Sequence, residues 1–356
     1  MALRNADDIV VTGVGMVSPV GSTAAQTFAS IRSGIRRMRE LPEIYCCLPE
    51  DPRFDDAEPL VGSAISHLDA KRRRTECASE WLGLLAGRAF ADLLESSRLE
   101  AGVLKRLGLF LAIPTAAALP VVPADVATHL HNHAEVDELG HVQIVPGERP
   151  TALALAEAAA SLLRERKIDF AAVGAVDSYL FPERLSVLDK GWRLLSTRNP
   201  DGFQPGEAAA FVLLERRATC ERRGVPALAT LRGSAQARFE KEKGLPNRGV
   251  EVASTLERLL AAESGHAPLI VCDLNGESAR TKEWGHALSR LGRRLGEGLA
   301  LEHPASVLGD VGAATGAVLL ATAVRYLATK HAARPGALIW AGADDGERRA
   351  LHLARS

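Results

Sequence analysis

The segment from His141 to Tyr179 constrains the fold more than any other part of the chain. A short strand, Val142 to Val145, leads to a Gly-Glu-Arg-Pro turn, and a predicted helix follows from Thr151 to about Arg166. The first three turns of this helix carry one charge among Ala and Leu residues, so the helix must be buried on nearly all sides. The chain is therefore limited to folds that enclose a helix between other layers.

The turn before this helix is a place where many enzymes hold a nucleophile, because the amide N–H groups of a helix terminus point at it. Pro150 suits the first helical position, since its ring fixes φ near the helical value and the N–H it lacks would be unpaired there. The turn contains neither Cys nor Ser. A covalent nucleophile is therefore not expected at this position.

Composition indicates an ordinary water-soluble protein and excludes several function classes. The 356 residues are 47% hydrophobic and 24% charged, with 43 basic and 44 acidic side chains. This balance argues against a general nucleic-acid binder or a protein of anionic membrane surfaces. No cofactor is indicated by any motif.

Cysteines and apolar runs predict a cytoplasmic location. The five cysteines form no CxxC motif and have no metal spacing, which fits reduced thiols. The charged start MALRNADD does not resemble a signal peptide. The most apolar run, Leu107 to Val122, contains two prolines and is too short for a membrane span.

The two halves of the chain resemble each other. The stretch Asp169 to Asp177 parallels Gly336 to Asp344, and each lies between a buried Ala/Leu helix and a strand that ends near an arginine. This repeat predicts a duplicated α/β architecture in which two packed sheets sandwich buried helices, with Gly174 and Gly342 equivalent. We expect one half to comprise residues 1–218 and the other 219–356. Residues 38–66 are expected to be irregular, and Ser306 to Asp310 a brief strand and turn.

Several stretches, in order along the chain, resemble signatures of the β-ketoacyl-ACP synthase family of the thiolase superfamily. These are Val11 to Gly21, Ser33 to Ile35, Val173 to Ser178, the DGFQPGEAA turn from Asp201 to Ala209, and Gly309 to Gly316. The resemblance implies a thiolase-like, duplicated αβαβα five-layered sandwich. It also implies a dimer built through the strand before the nucleophile, here Val142 to Val145, with an identical subunit or with a ketosynthase.

The catalytic residues of the family do not carry over. The family's nucleophilic Cys aligns with Pro150, and an alignment error of one residue would place it on Arg149 or Thr151 instead. Its two histidines fall on Asn275 and Asp310. Its lysine falls on Ala305, and its C-terminal GFGG loop is replaced by residues 342–345.

These substitutions predict the loss of condensing activity. A thioester intermediate requires a thiolate, and decarboxylation of a malonyl unit requires donors that stabilise the enolate oxygen. Pro150 can neither attack nor ionise, and an anionic Asp310 would repel the enolate. The resemblance therefore implies a degenerate member of the family.

Other candidate sites have less specific signals. Asn275, Glu277 and Asp310 could form a hydrolytic or metal site, although hydrogen-bonded residues of a vestigial pocket are the preferred interpretation. Cys272 lies inside an apolar strand and is expected to be a structural thiol. The helix residues His129, His131 and His133 include an i, i+4 pair, but no third metal ligand is in view, and we expect them to be partly exposed.

The run Lys71, Arg72, Arg73 and Arg74 is either a solvated helix start or a docking site for an acidic acyl carrier protein, as the resemblance implies. Three functions remain open. The chain could be a non-catalytic, chain-length-factor-like partner of an active ketosynthase and carrier protein in fatty-acid or polyketide biosynthesis. It could be an adapter that reuses the fold in an unrelated assembly such as a secretion apparatus. It could also be an acyltransferase with non-standard active-site residues.

Overall fold

A computed structural model describes residues 5–45, 58–68, 73–136, 139–240, 247–260, 268–295, 299–329 and 334–356. Strands and helices alternate along both halves of the chain. The elements of the first half are β1 (Ile9–Val17), α1 (Ala24–Arg32), β2 (Arg39–Tyr45), β3 (Pro59–Gly62), α2 (Ala78–Ser97), β4 (Leu107–Pro114), α3 (Pro123–Ala134), β5 (His141–Gly147), α4 (Thr151–Arg164), β6 (Phe170–Ser178), α5 (Pro182–Lys190) and β7 (Glu207–Arg216).

Helix α6 (Arg217–Arg223) connects the halves. The elements that follow are β8 (Ala229–Arg238), α7 (Val250–Leu260), β9 (Leu269–Cys272), α8 (Ser278–Leu291), β10 (Ala300–Glu302), α9 (Ala305–Leu308), α10 (Thr315–Leu327), β11 (Gly336–Gly342) and β12 (Glu347–Arg355). The expected boundary after residue 218 falls inside α6 and stays a prediction.

The two halves have the same strand order and the same strand directions. The first half is ordered β5-β4-β6-β7-β1 and the second β10-β9-β11-β12-β8. In each half the first three of these strands are mutually parallel and the last two are antiparallel to their neighbours. A short antiparallel contact between β1 and β8 joins the halves into one ten-stranded sheet. The expected duplication is therefore present in the topology.

Three apolar clusters fill the spaces between five layers. The central cluster contains the inner faces of both half-sheets and the helices α4 and α10. Helix α10 is buried along almost its whole length, whereas α4 buries one face and leaves Ala158 and Ser161 exposed, so α4 is less enclosed than its sequence predicts. A second cluster packs α2 and α3 on the outer face of the first half, and a third packs α7 and α8 on the outer face of the second. Helices with apolar residues on nearly all sides occupy the middle layer because sheets cover them on both sides. The predicted αβαβα sandwich is confirmed.

Three details of the sequence prediction need correction. Part of the segment expected to be irregular forms the antiparallel pair β2–β3, which lies apart from the main sheet. The residues from Ser306 do not form a strand, since α9 ends at Leu308 and a short strand, β10, precedes it. Alternating apolar residues in such short segments do not distinguish a strand from one helical turn.

The third correction concerns register. Gly174 and Gly342 lie on the corresponding strands β6 and β11. Gly174 pairs with Phe211, five residues before the end of β7, whereas Gly342 pairs with Arg348, seven residues before the end of β12. The two glycines are therefore on equivalent strands but two residues apart in register.

None of the helices in the described ranges is both long and apolar enough to span a bilayer.

Candidate functional site

Loops from both halves converge at the carboxyl ends of the parallel strands of the first half. Strands β4, β5 and β6 are parallel, so their carboxyl ends share one edge, and α4 begins there. The segments that follow β9 and β11, and the segment that precedes α10, reach the same place. A cavity of about 370 Å³ opens at this edge, and its described lining contains no Cys and no His.

Pro150 occupies the N-cap of α4 and is buried. Its carbonyl accepts the first helical hydrogen bond, from the amide of Leu153 at 3.0 Å. The hydroxyl of Thr151 is also engaged, because it accepts from the amide of Glu148 at 2.9 Å. The position that the resemblance gives to a thiol therefore holds a pyrrolidine ring, with Arg149 immediately before it.

Arg149 directs its side chain into the site although it is 3% exposed. Its guanidinium donates to Asp310 at 2.7 Å and 3.2 Å, to Asp344 at 3.3 Å and to the hydroxyl of Tyr179 at 3.3 Å. Burial alone would lower the pKa of this guanidinium, but the charge of Asp310 raises it well above its usual value. A permanent positive charge is therefore fixed at the start of α4.

Asn275 and Asp310 lie together, as the sequence predicts. The amide of Asn275 donates to Oδ2 of Asp310 at 2.6 Å, and Oδ1 of Asp310 accepts from the amide of Gly312 at 2.8 Å. Burial alone would raise the pKa of Asp310, yet Arg149 outweighs it and holds that pKa below its usual range. Asp310 is therefore an anion whose oxygens are occupied by hydrogen-bond donors.

Two further arginines, Arg193 and Arg280, lie beside Arg149 and share Asp344 with it. Arg193 donates to Glu277 at 3.0 Å and to Asp344 at 3.0 Å. Arg280 donates to Asp273 at 2.9 Å, to Asp344 at 2.7 Å and to Glu277 at 3.3 Å. Burial alone would raise the pKa of Glu277 and of Asp344, but the neighbouring arginines outweigh it and hold both pKa values below their usual range.

Arg184 completes the cluster beside α10. It forms a buried pair with Asp177, with one contact at 3.0 Å, and its guanidinium lies 4.0 Å from the ring centroid of Tyr179. Asp177 also accepts from the amide of Ala313 at 2.8 Å. At Gly312, φ is +55° and a Cβ would lie 2.1 Å from Oδ2 of Asp177, so this approach requires glycine. Burial raises the pKa of Tyr179 to about 12, so its hydroxyl stays protonated.

These residues form one network that we call the ionic cluster. Its members are Arg149, Arg184, Arg193, Arg280, Asp177, Asp273, Glu277, Asp310 and Asp344, with Asn275 and Tyr179 as neutral partners. The cluster links the two halves, since Arg149 and Arg193 come from the first and their carboxylate partners from the second. Every carboxylate in it is paired with at least one arginine, although burial raises the pKa of Asp273 and leaves its Oδ1 without a hydrogen-bond partner. Among the described residues, no group of three or more His, Cys, Asp or Glu could hold a metal ion.

The fourth position given by the resemblance lies apart from the cluster. Ala305 begins α9 and is half-buried, and its carbonyl accepts from the amide of Gly309 at 2.9 Å. Like Pro150, Asn275 and Asp310, it is not among the residues that line the cavity. Whether Pro150, Asn275, Asp310 and Ala305 are the true equivalents of catalytic residues stays a prediction.

Cys272 and the histidines have structural surroundings. Cys272 is fully buried in β9, and this burial raises the pKa of its thiol far above the usual value. His129 and His133 pack against α2, where a Cβ on Gly83 would lie 2.3 Å from the Cβ of His129. Glycine on α2 therefore permits the close approach of α3. His131 is half-buried, and this burial lowers its pKa.

Arg73, from the proposed docking run, has a structural role. It donates to the fully buried Glu207 at 2.7 Å and lies 4.8 Å from the ring of Trp81. Arg74 is exposed, whereas Lys71 and Arg72 lie outside the described residues. Docking of a carrier protein at this run stays a prediction, and it rests on cations other than Arg73.

Sequence reasoning missed most of the ionic cluster. The sequence marks Arg149 only as a neighbour of the nucleophile position, although a charged residue immediately before the N-cap of a buried helix is a usable signal. Arg184 and Arg193 lie in a segment that carries no recognisable motif, and Arg280 has no signature either. Their convergence depends on the fold and cannot be read from spacing along the chain.

No protein-family model and no curated protein matches the chain. Solved structures do match. A ketosynthase domain of oxazolomycin biosynthesis from Streptomyces albus is 19% identical, with a TM-score of 0.74 over 98% of this chain and 75% of that one. A type II polyketide ketosynthase, solved with its acyl carrier protein and a bound hexaketide, is 15% identical, with a TM-score of 0.78 over 98% and 99% of the two chains.

A third structure, the keto synthase–chain length factor of PfaC, is 15% identical, with a TM-score of 0.75 over 98% of this chain and 48% of that one. At these identities the likeness concerns the fold. The resemblance drawn from the sequence motifs is thus confirmed as a ketosynthase fold of the thiolase type.

Proposed function

We propose that the chain is a non-catalytic ketosynthase-fold subunit. It would act as the chain-length-factor-like partner of an active ketosynthase and its acyl carrier protein, in fatty-acid or polyketide-type biosynthesis. The observation that carries this proposal is the buried Arg149–Asp310 pair at the start of α4, 2.7 Å apart, where a condensing enzyme requires a thiolate.

The chemistry of the ionic cluster supports the absence of condensation. An enolate formed beside α4 would meet the carboxylates of Asp310 and Asp344 in place of two neutral donors. Arg149 cannot serve as the missing donor without leaving Asp310 buried and unpaired, which is costly.

The edge strand β5 supports association with a second subunit. It pairs with β4 on one side and ends the sheet, and Val142 is 40% exposed. An uncovered edge strand with exposed apolar side chains is a hazard that proteins normally cover. A homologous ketosynthase subunit would extend the sheet across this edge, as would a second copy of the chain.

Two of the similar structures agree with this arrangement. One contains an acyl carrier protein bound to its ketosynthase, and another joins a keto synthase to a chain length factor. Those partners belong to the similar proteins, and their transfer to this chain is part of the proposal.

An adapter in an unrelated assembly is the second candidate. It is favoured by the C-terminal loop, where Asp344 is bound by Arg149, Arg193 and Arg280 and the segment is held in place as part of the cluster. A loop fixed in this way would not gate an acyl channel. A rigid scaffold needs no gate.

Coexpression with the intact ketosynthase encoded nearest to this chain tests the proposal. Light scattering after size-exclusion chromatography should show a one-to-one heterodimer. Val142→Asp on the exposed edge should abolish it, because a charge would be buried at the strand pairing. Val187→Asp, on α5 and 70% exposed, is the matched control and should leave the complex intact. A chain that remains monomeric, or that forms homodimers alone, would contradict the heterodimer and favour the adapter.

A further inference from the structure

A second concave site lies at the other end of the strands of the first half, away from the ionic cluster. It is a groove of about 570 Å³ at the amino ends of β4, β5 and β6 and at the carboxyl end of α4. We call it the basic groove. Its charged and imidazole side chains are Lys105, Arg106, His141, Arg166, Lys167 and Asp169.

The basic groove concentrates positive charge in a chain that is close to neutral. Four lysines and arginines line it with one carboxylate, whereas the whole chain has a net charge of −1. The side chains of Arg106, Arg166 and Lys167 are 69%, 74% and 65% exposed. Convergence of cations from two separate segments, residues 105–106 and 166–167, creates a local positive potential that attracts anions.

The ion pairs already present would not prevent an anion from binding. Arg166 lies 3.8 Å from Asp7 and Lys167 lies 2.7 Å from Glu165, and all four side chains are more than half exposed. Such surface pairs contribute about 0–1 kcal/mol, so a phosphate group can replace them. Asp169 is the exception, because Arg216 holds it at 3.2 Å while Arg106 binds its other oxygen.

The floor of the basic groove is apolar. Leu107 is fully buried there, and the partly buried Leu162 and Ile168 lie beside it. The imidazole of His141 lies at the rim and is packed against Phe110, with ring centroids 5.5 Å apart. A cationic rim over an apolar floor suits a ligand that has an anionic group and an organic body.

We propose that the basic groove binds a small organic phosphate of mononucleotide size. The volume lies within the range of small-molecule sites, and guanidinium groups bind phosphate through charge-assisted hydrogen bonds. The concave shape favours a small ligand over the surface of a protein. This site does not depend on the proposed function, because it lies at the other edge of the sheet from the ionic cluster.

Isothermal titration of the full chain with ADP, pyrophosphate and adenosine tests the proposal. ADP and pyrophosphate should bind at low ionic strength, adenosine should not, and ADP should bind more tightly than pyrophosphate because its organic part contacts the apolar floor. Affinity should fall as NaCl is raised, since screening weakens charge–charge attraction.

The double variant Arg166→Asn and Lys167→Gln should weaken ADP binding at least tenfold. Asn tolerates the left-handed backbone at position 166, where φ is +59°. The control is the double variant Arg98→Asn and Arg88→Gln, which removes the same amount of charge outside the basic groove. It also places Asn at the end of a helix in the left-handed backbone conformation, since φ at position 98 is +53°. A second pair, Lys105→Gln and Arg106→Gln, provides the same test if the first fails to fold.

Three results would overturn the proposal. They are no heat from ADP or pyrophosphate with the wild type, equal binding of ADP and adenosine, and equal affinity in the groove variants and their control. Binding of a poly-glutamate peptide without binding of ADP or pyrophosphate would also overturn it, and would assign the groove to an acidic protein partner.

Discussion

The middle layer and the ionic cluster meet at the amino ends of α4 and α10, yet they are held together by opposite kinds of interaction. Below that level, the two helices are packed by Ala, Leu and Val side chains that are almost fully buried. At that level, buried arginines and carboxylates replace them. Apolar packing specifies the fold by itself, whereas a buried ion pair must first offset the loss of hydration of both charges. The difference would allow a chain to keep a ketosynthase fold while the residues at its site change.

The largest expected effect comes from placing a charge in the middle layer. Ala156→Asp puts a carboxylate into the middle layer on α4, where the residue is 1% exposed and the central cluster surrounds it with apolar atoms. We expect little or no folded protein, because the new carboxyl must either stay charged without a partner or be protonated in a close-packed apolar site, and either cost is large against a stability of about 5–15 kcal/mol. Ser161→Asp, on the exposed side of the same helix, is the control and should fold. Circular dichroism and thermal unfolding of both variants would check this, and a stable Ala156→Asp protein would break the comparison.

A smaller effect is expected from unpairing one charge in the ionic cluster. Asp310→Ala leaves Arg149 without its main partner and should lower the free energy of unfolding by about 3–5 kcal/mol. Adding Arg149→Met should restore most of that loss, because replacing both partners of a buried pair by apolar groups is often close to neutral. Urea titrations of the single and double variants measure both values. A double variant that is less stable than Asp310→Ala would show that Arg149 stabilises the fold through its other partners.

The smallest expected effect is the pH dependence of the same pair. The pKa of Asp310 in the folded protein lies below its usual value, which is ~3.9 in an unfolded chain. Its ionised form therefore contributes stability above the unfolded-state pKa, and this contribution is lost as pH falls through the folded-state pKa. The difference in unfolding free energy between the wild type and Asp310→Asn should shrink as the pH is lowered through this range. A difference that stays constant would mean that Asp310 is not an anion in the folded protein.

The sequence predicts the middle layer well and the ionic cluster poorly, for a physical reason. A helix with apolar residues on nearly all sides must be covered, so α4 alone indicates a layered fold, and ordered motifs such as the DGFQPGE turn identify which one. Asn275 and Asp310 could be placed together because each falls at a position of the family's site. Arg184 and Arg280 could not, since neither lies in a recognisable motif and each pairs across a turn with a carboxylate seven residues before it, an approach that only the folded chain defines.

The central claim is that the ionic cluster has replaced the chemistry of condensation. Intact-mass spectrometry of the wild type and of Pro150→Cys, after incubation with acyl-loaded and malonyl-loaded carrier protein, tests it most directly. We expect no acyl adduct on the wild type and no condensation product from Pro150→Cys. Even with a thiol in place, the enolate would meet the anionic Asp310 and an Asn275 amide that already donates to Asp310 and Glu277, where two free donors are required. The loss of one such donor typically costs roughly 10²–10³ in rate. A stable acyl adduct on any wild-type residue, or measurable condensation by Pro150→Cys, would contradict the account.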